Sequence, residues 1–255
     1  MILLLGKIGL NHETELPDKA FGKIDTQLIR DFSARTLVNI GETAIAPLLK
    51  IVGESNEEFV IQQAIDALLG IANEEGLSKD AIYRGTAVLH DALKRYKGKK
   101  DEISLWKTIR ALGPFKEESS IDPLSEFLTH RQPAIRWEVV RSFGKIGDVK
   151  APIMEAFKDP HHQVRRMAAR AAGQFLDDRY IPMLLEGLND TSCLESDSAA
   201  KDSPLFETIR ALGGFKDRAL ENNLTSFSKH KFGSIQGIAR KAIAMLNKAR
   251  RLKNR

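Results

Sequence analysis

Residues 159–175 read DPHHQVRRMAARAAGQF: a turn, then an amphipathic run that closes on the phrase AAGQF. The phrase is a small or apolar pair, a glycine, any residue and an apolar residue. It returns as LLGKI at 4–8, LLGIA at 68–72, ALGPF at 111–115, SFGKI at 142–146 and ALGGF at 211–215. Two copies without the glycine, LVNI at 37–40 and IAML at 243–246, keep the phase. Counted at the glycine position, the copies fall at 6, 38, 70, 113, 144, 173, 213 and 244, in steps of 32, 32, 43, 31, 29, 40 and 31. A period near thirty residues is the mark of a repeat array, in which each unit buries its apolar face only by stacking on its neighbours.

Each phrase ends a helical pattern. Val164, Ala168, Ala172 and Phe175 stand 9, 5 and 1 residues before the marker glycine and 2 after it, as do Ile135, Val139, Phe143 and Ile146. That spacing is one face of an α-helix. A glycine in the last turns of a helix costs about 1 kcal/mol against alanine, so its recurrence implies close approach of a neighbouring helix. A second, shorter helix with an early proline precedes each of several such segments, at Ala46-Pro47, Asp122-Pro123, Ala151-Pro152 and Ile181-Pro182. Proline is tolerated there because first-turn amides have no intrahelical partner. Ser203-Pro204 reads as an N-cap followed by a first-position proline. No strand pattern is found, and the predicted fold is all-α.

These residues resemble the HEAT-like repeat family, the short bacterial repeats also seen in phycobilisome lyases. Asp159 and Arg165 occupy the places of the family's turn aspartate and arginine, which form a ladder between repeats. The ladder is patchy: Arg136 faces His130 in that register, and Gln62 and Gln236 replace the arginine. The resemblance implies an α-solenoid of about seven helix pairs plus an N-terminal half repeat, a single domain over 1–255. It also implies that the second helix of each pair lines a concave surface, and it is specific for fold rather than function.

The two long steps hold insertions. The first reads as a longer first helix near 77–97, and the second as a mobile loop near 189–203, rich in Ser, Asp and small residues. Cys193 lies in that loop with no basic neighbour to activate it, and reads as an incidental thiol. A single cysteine fits a reducing, cytoplasmic setting. The chain is 42% hydrophobic and 29% charged, with no apolar run approaching the ~20 residues of a bilayer span, so no membrane partner is expected. The opening MILLLGKIGL lacks the parts of a signal peptide. It begins inside a second-helix pattern with no covering partner, which points to self-association through this apolar helix, to a partner protein, or to a late start. The net charge of +5 gathers in a basic C-terminal end, 248–255.

The functional signal lies opposite the predicted core. Three residues before the marker stand Arg35, Arg110, Arg141, Arg170, Arg210 and Lys241; seven before it stand Trp106, Trp137, Arg166 and Phe206. Cations beside aromatic rings are the composition of interface hot spots. The expectation is a non-enzymatic binding or scaffold protein recognising an acidic or extended protein partner on this stripe, with no catalytic residue, metal or cofactor. The alternatives are nucleic-acid binding in the manner of HEAT-like DNA glycosylases and a bilin lyase-like chaperone. Deoxyhypusine hydroxylases of related fold use repeated His-Glu dyads for a di-iron centre. This chain has one dyad, His12-Glu13, and His90, His130, His161, His162 and His230 cannot complete such a set. Residues 105–135 and 205–235 match at thirteen of thirty-one places, which points to duplication of a three-repeat block.

Overall fold

The computed structural model describes residues 36–74, 76–100, 102–215, 217 and 219–253, with side chains up to Lys248. Arg35, the N-terminal apolar helix and His12-Glu13 lie outside the described residues, as do the side chains of the basic end beyond Lys248. Among the described residues there is no strand; residues 36–40 are helical, and twelve further α-helices follow in order. They are α1 Ile45–Glu54, α2 Glu58–Asn73, α3 Lys79–Tyr96, α4 Glu102–Phe115, α5 Ile121–Ser125 and α6 Pro133–Ile146. They continue as α7 His162–Phe175, α8 Ile181–Gly187, α9 Asp197–Ala200, α10 Pro204–Leu212, α11 Leu220–Thr225 and α12 Gly233–Lys253. The phrase-bearing helices are α2, α4, α6, α7, α10 and α12, and the fold is an all-α solenoid of helix pairs. The chain divides into two compact units, Met1–Pro123 and Leu124–Arg255.

Within the first unit α1 packs on α2 and α3, and both of these pack on α4. Within the second, the second helices form a continuous stack: α6 on α7, α7 on α10, α10 on α12. The positions assigned to the core by periodicity are buried almost throughout, including Thr108, Leu112 and Phe115 in α4 and Ile135, Val139, Phe143 and Ile146 in α6. Ile40, Leu69, Phe175 and Ile243 are the half-buried exceptions.

The marker glycines are where consecutive second helices touch. A Cβ on Gly173 would stand 2.9 Å from both Cα and Cβ of Ala211 in α10, and one on Gly213 would stand 2.7 Å from Ala242 Cα in α12. Gly144 similarly meets Ala171 and the end of the Gln174 side chain, and Gly70 meets the Val38 side chain. The partner in α7, α10 and α12 is always the residue two before the next marker. The expected close approach is therefore the packing rule of the array.

The first helices are less regular. Ser203 caps α10 by accepting a hydrogen bond from the Phe206 amide at 3.1 Å, with Pro204 first in the helix. The helix expected at Ala151-Pro152 is not formed. That segment is a bend followed by a 3-10 turn, Glu155–Lys158. The step of 29 residues, the shortest, leaves only Gly147 to Asp159 for turn, helix and turn. Gly147 takes up the left-handed conformation at φ 83° to end α6. An open pocket remains there, lined by Val149, Pro152, Met154, Arg179 and Tyr180.

The 189–203 segment is tied at three points. Asp190 pairs with Arg165, Asp197 accepts from the Ser234 amide at 2.8 Å, and Ser203 caps α10. One helical run, Thr36–Glu54, is long and apolar enough by length and composition to cross a membrane, contrary to the sequence expectation. Its Leu37, Ile45, Leu48, Leu49 and Val52 are buried within the first unit.

Two turn arginines, Arg136 and Arg165, link successive turns of the second unit. Arg136 donates to the His130 carbonyl at 2.7 Å and forks onto Asp159 of the next turn at 2.7 and 2.8 Å. Arg165 repeats this one step on, donating to the Asp159 carbonyl, to Asp190 and to Ser192. Gln236, which stands in the arginine's place, keeps only the link to the preceding turn, donating to the His230 carbonyl at 2.8 Å. Burial raises the Asp159 and Asp190 carboxyls, but the hydrogen bonds from Arg136 and the His161 amide, and from Arg165 and Ser192, outweigh it and hold both below the ordinary aspartate value.

Two predictions follow from this packing. Gly173→Ala should lower unfolding stability by about 1–3 kcal/mol, because the methyl overpacks a backbone contact. Gly237→Ala, whose Cβ meets nothing within 4 Å, should gain up to about 1 kcal/mol from helix propensity. Urea titration of both variants checks the opposite signs. The lowered aspartates contribute stability above their unfolded value, and lose it as pH falls through their folded one. Wild-type stability should therefore fall below about pH 4, and Asp159→Asn should flatten that fall in acid-denaturation curves.

Candidate functional site

The broad buried face of each second helix pushes the positions three and seven before the marker to its margin. In the first unit, α4 presents Trp106 and Arg110 there, both half-buried. The Arg110 guanidinium lies over the Trp106 ring at 5.0 Å from its centroid. This i, i+4 stack contributes about 0.5–1 kcal/mol by cation–π attraction. Arg110 Nε is buried with no hydrogen-bond acceptor, and an unmet buried donor costs on the order of 1–3 kcal/mol. Beside it, Lys107 pairs with Asp66 of α2, and Gln62 donates to Ser104 at 3.0 Å. In α2 the position three before the marker is the buried Ala67, so the cation row is interrupted there.

In the second unit the stripe is present, but most of its charge is answered from within. Arg141 donates to Glu138 Oε1 at 3.1 Å, and the Glu138 side chain is 1% exposed. Arg166 pairs with Asp202 at 2.7 Å, donates to Gln163 Oε1 at 3.2 Å and lies 3.9 Å from Glu207. Arg210 pairs with Glu207, whose side chain is 4% exposed. Buried carboxylates are thus part of the same row as the cations. The signal was in the sequence as the repeated Glu-x-x-Arg of Glu138–Arg141 and Glu207–Arg210, an i, i+3 pair on one helix face. Arg170, Arg210 and Lys241 are exposed, and Trp137 and Phe206 are half-buried. Arg141, Lys145, Met167, Arg170, Ala171 and Gln174 surround a shallow notch of about 50 Å³.

Three of the described histidines serve the turns, while His90 lies in α3 within 3.0 Å of Ser120 Oγ. His130, His161 and His230 each accept, through Nδ1, the amide hydrogen two residues on, at 3.2, 3.3 and 3.2 Å. The Phe127–His130 and Phe227–His230 ring pairs, 100 residues apart, both have centroids 6.5 Å apart. The duplicated block thus repeats a turn cap. His161 and His162 stack at 4.7 Å in the same kind of turn. Burial pushes the Cys193 thiol up, and Glu195, Asp190 and Asp202 push it further, so it is a poor thiolate former. Among the described residues no group of three or more His, Cys, Asp and Glu is placed to hold a metal.

Residues 87–154 match the family model described as HEAT repeats. Among curated proteins none matches the sequence. The complex of CpcE and CpcF of phycocyanin lyase from Nostoc sp. PCC7120 is similar over 69% of this chain and 68% of that chain, with TM-score 0.54 and 19% identity. The YibA protein of Escherichia coli is similar over 97% of this chain and 95% of its own, with TM-score 0.52 and 16% identity. Human deoxyhypusine hydroxylase, in complex with glycerol, aligns over 97% and 96% at TM-score 0.37 and 12% identity. At these identities the first two likenesses establish the fold alone.

Proposed function

We propose that this HEAT-like repeat protein is a non-enzymatic binding or scaffold protein that recognises an acidic or extended protein partner through the arginines and aromatic rings of its second helices. The observation that carries the reading is the Trp106–Arg110 stack, an aromatic ring and a guanidinium held together at the margin of a buried helix face. Such pairs, preorganised by packing, lose little entropy on binding and are typical anchors of protein interfaces. Arg170 and Lys241 extend the cationic character in the second unit.

Nucleic-acid binding is the weaker reading because Arg141, Arg166 and Arg210 each have a carboxylate partner. A phosphate-tracking surface needs cations free to replace counterions, and affinity that rises steeply as salt falls. A bilin lyase-like role rests on likeness of fold, and no residue described here adds to it.

Titration of the protein with a fluorescein-labelled deca-glutamate peptide, and with duplex and single-stranded oligonucleotides of matched length, separates these readings. We expect the peptide to bind, with DNA weaker than the peptide at about 150 mM salt. Tight DNA binding with a steep salt slope transfers the stripe to nucleic acid. Failure of the peptide to bind at about 25 mM salt, where screening is weakest, overturns the acidic-partner reading.

A further inference from the structure

The duplicated block places Trp106, Lys107 and Arg110 in the first unit where Phe206, Glu207 and Arg210 stand in the second. The two copies have identical TIRALG cores, so the divergence at 107 and 207 is the informative one. Glu207 is almost fully buried and pairs with Arg210, and Arg166 of the preceding helix approaches the same carboxylate. Lys107 instead reaches across to Asp66 and leaves Arg110 without an acid. Among the described residues Arg110 has no ion-pair partner, and its Nε is a buried donor with no acceptor. The Arg110 guanidinium lies over the Trp106 ring, 5.0 Å from its centroid.

We propose that Arg110 is the anion-recognising arginine of the duplicated pair, taking the carboxylate of a glutamate or aspartate side chain, and that Arg210 is committed to the fold. The proposal rests on the acidic-partner reading above and says which arginine carries it. A guanidinium oriented on an indole ring offers a planar fork that matches a carboxylate. In the second copy the chain supplies that carboxylate itself, as Glu207. The glutamate that neutralises Arg210 thus marks the chemistry that Arg110 seeks from outside.

The test is a pair of substitutions read on two axes, affinity for the labelled deca-glutamate peptide and thermal unfolding. Arg110→Gln should weaken the peptide by about tenfold or more, the loss of a charge-assisted contact, and leave the melting temperature near that of the wild type. Arg210→Gln should change affinity by less than about twofold, because the Arg210 guanidinium, though its side chain is 44% exposed, is held on the buried Glu207 carboxylate. It should lower the melting temperature, because Glu207 loses a partner. Glu207→Gln, nearly isosteric, should strengthen peptide binding by releasing the Arg210 charge. Equal losses of affinity from Arg110→Gln and Arg210→Gln, or no loss from Arg110→Gln, overturn this assignment while the acidic-partner reading stands. If the wild type does not bind the peptide at all, both fall together.

Discussion

The contact on which the array depends is that of a glycine in one second helix against the residue two before the glycine of the next. Gly173 on Ala211 and Gly213 on Ala242 leave no room for a methyl group. Helices at this separation exclude each other's side chains at the crossing, so alanine and glycine are the residues that fit there. The arrangement sacrifices helix propensity at each marker and gains a continuous row of buried apolar contacts on either side. It also fixes the register, since sliding one helix by a turn would set a larger side chain against the next backbone. The Arg136–Asp159 and Arg165–Asp190 pairs then secure at the turns what the glycines set at the helix crossings.

That register decides what can be exposed. Because the second helices are buried against neighbours on both sides, positions three and seven before the marker sit at a narrow margin. A long charged side chain there must reach either solvent or an adjacent helix. Arg166 reaches Asp202 beyond α9 and the vicinity of Glu207 in α10, whereas Arg170, one turn later on the same helix, is exposed. Four residues on one helix are thus enough to separate an arginine that joins repeats from one that faces outward.

Most of the fold could be read from the chain because its signals are local and repeated. The period of the phrase, the proline at the head of α10 and the capping serine Ser203 each specify one element without reference to the others. The failure at Ala151-Pro152 has a physical cause of the same kind. The residues of a helix start are present, but the shortest step leaves too little chain to continue it. In the 43-residue step α3 fills Lys79–Tyr96, whereas the 40-residue step, read as a mobile loop, holds the short helix α9 and is tied at Asp190, Asp197 and Ser203.

The site was legible as a set of positions and not as a distribution of charge. Periodicity places Arg110 and Arg210 alike, and their surroundings differ through contacts that cross from one helix to another, such as Lys107 with Asp66 and Arg166 with Asp202. Such pairs depend on rotamers and burial, which no count along the sequence contains. The exception is instructive: Glu138–Arg141 and Glu207–Arg210 are intrahelical, and their spacing alone specifies them. A stripe of arginines in a repeat protein should therefore be weighed after subtracting every acid three residues before it. In this chain that subtraction removes Arg141 and Arg210 and leaves Arg35, Arg110, Arg166 and Arg170. Contacts between helices then remove Arg166 as well, and it is at this second step that sequence gives way to structure.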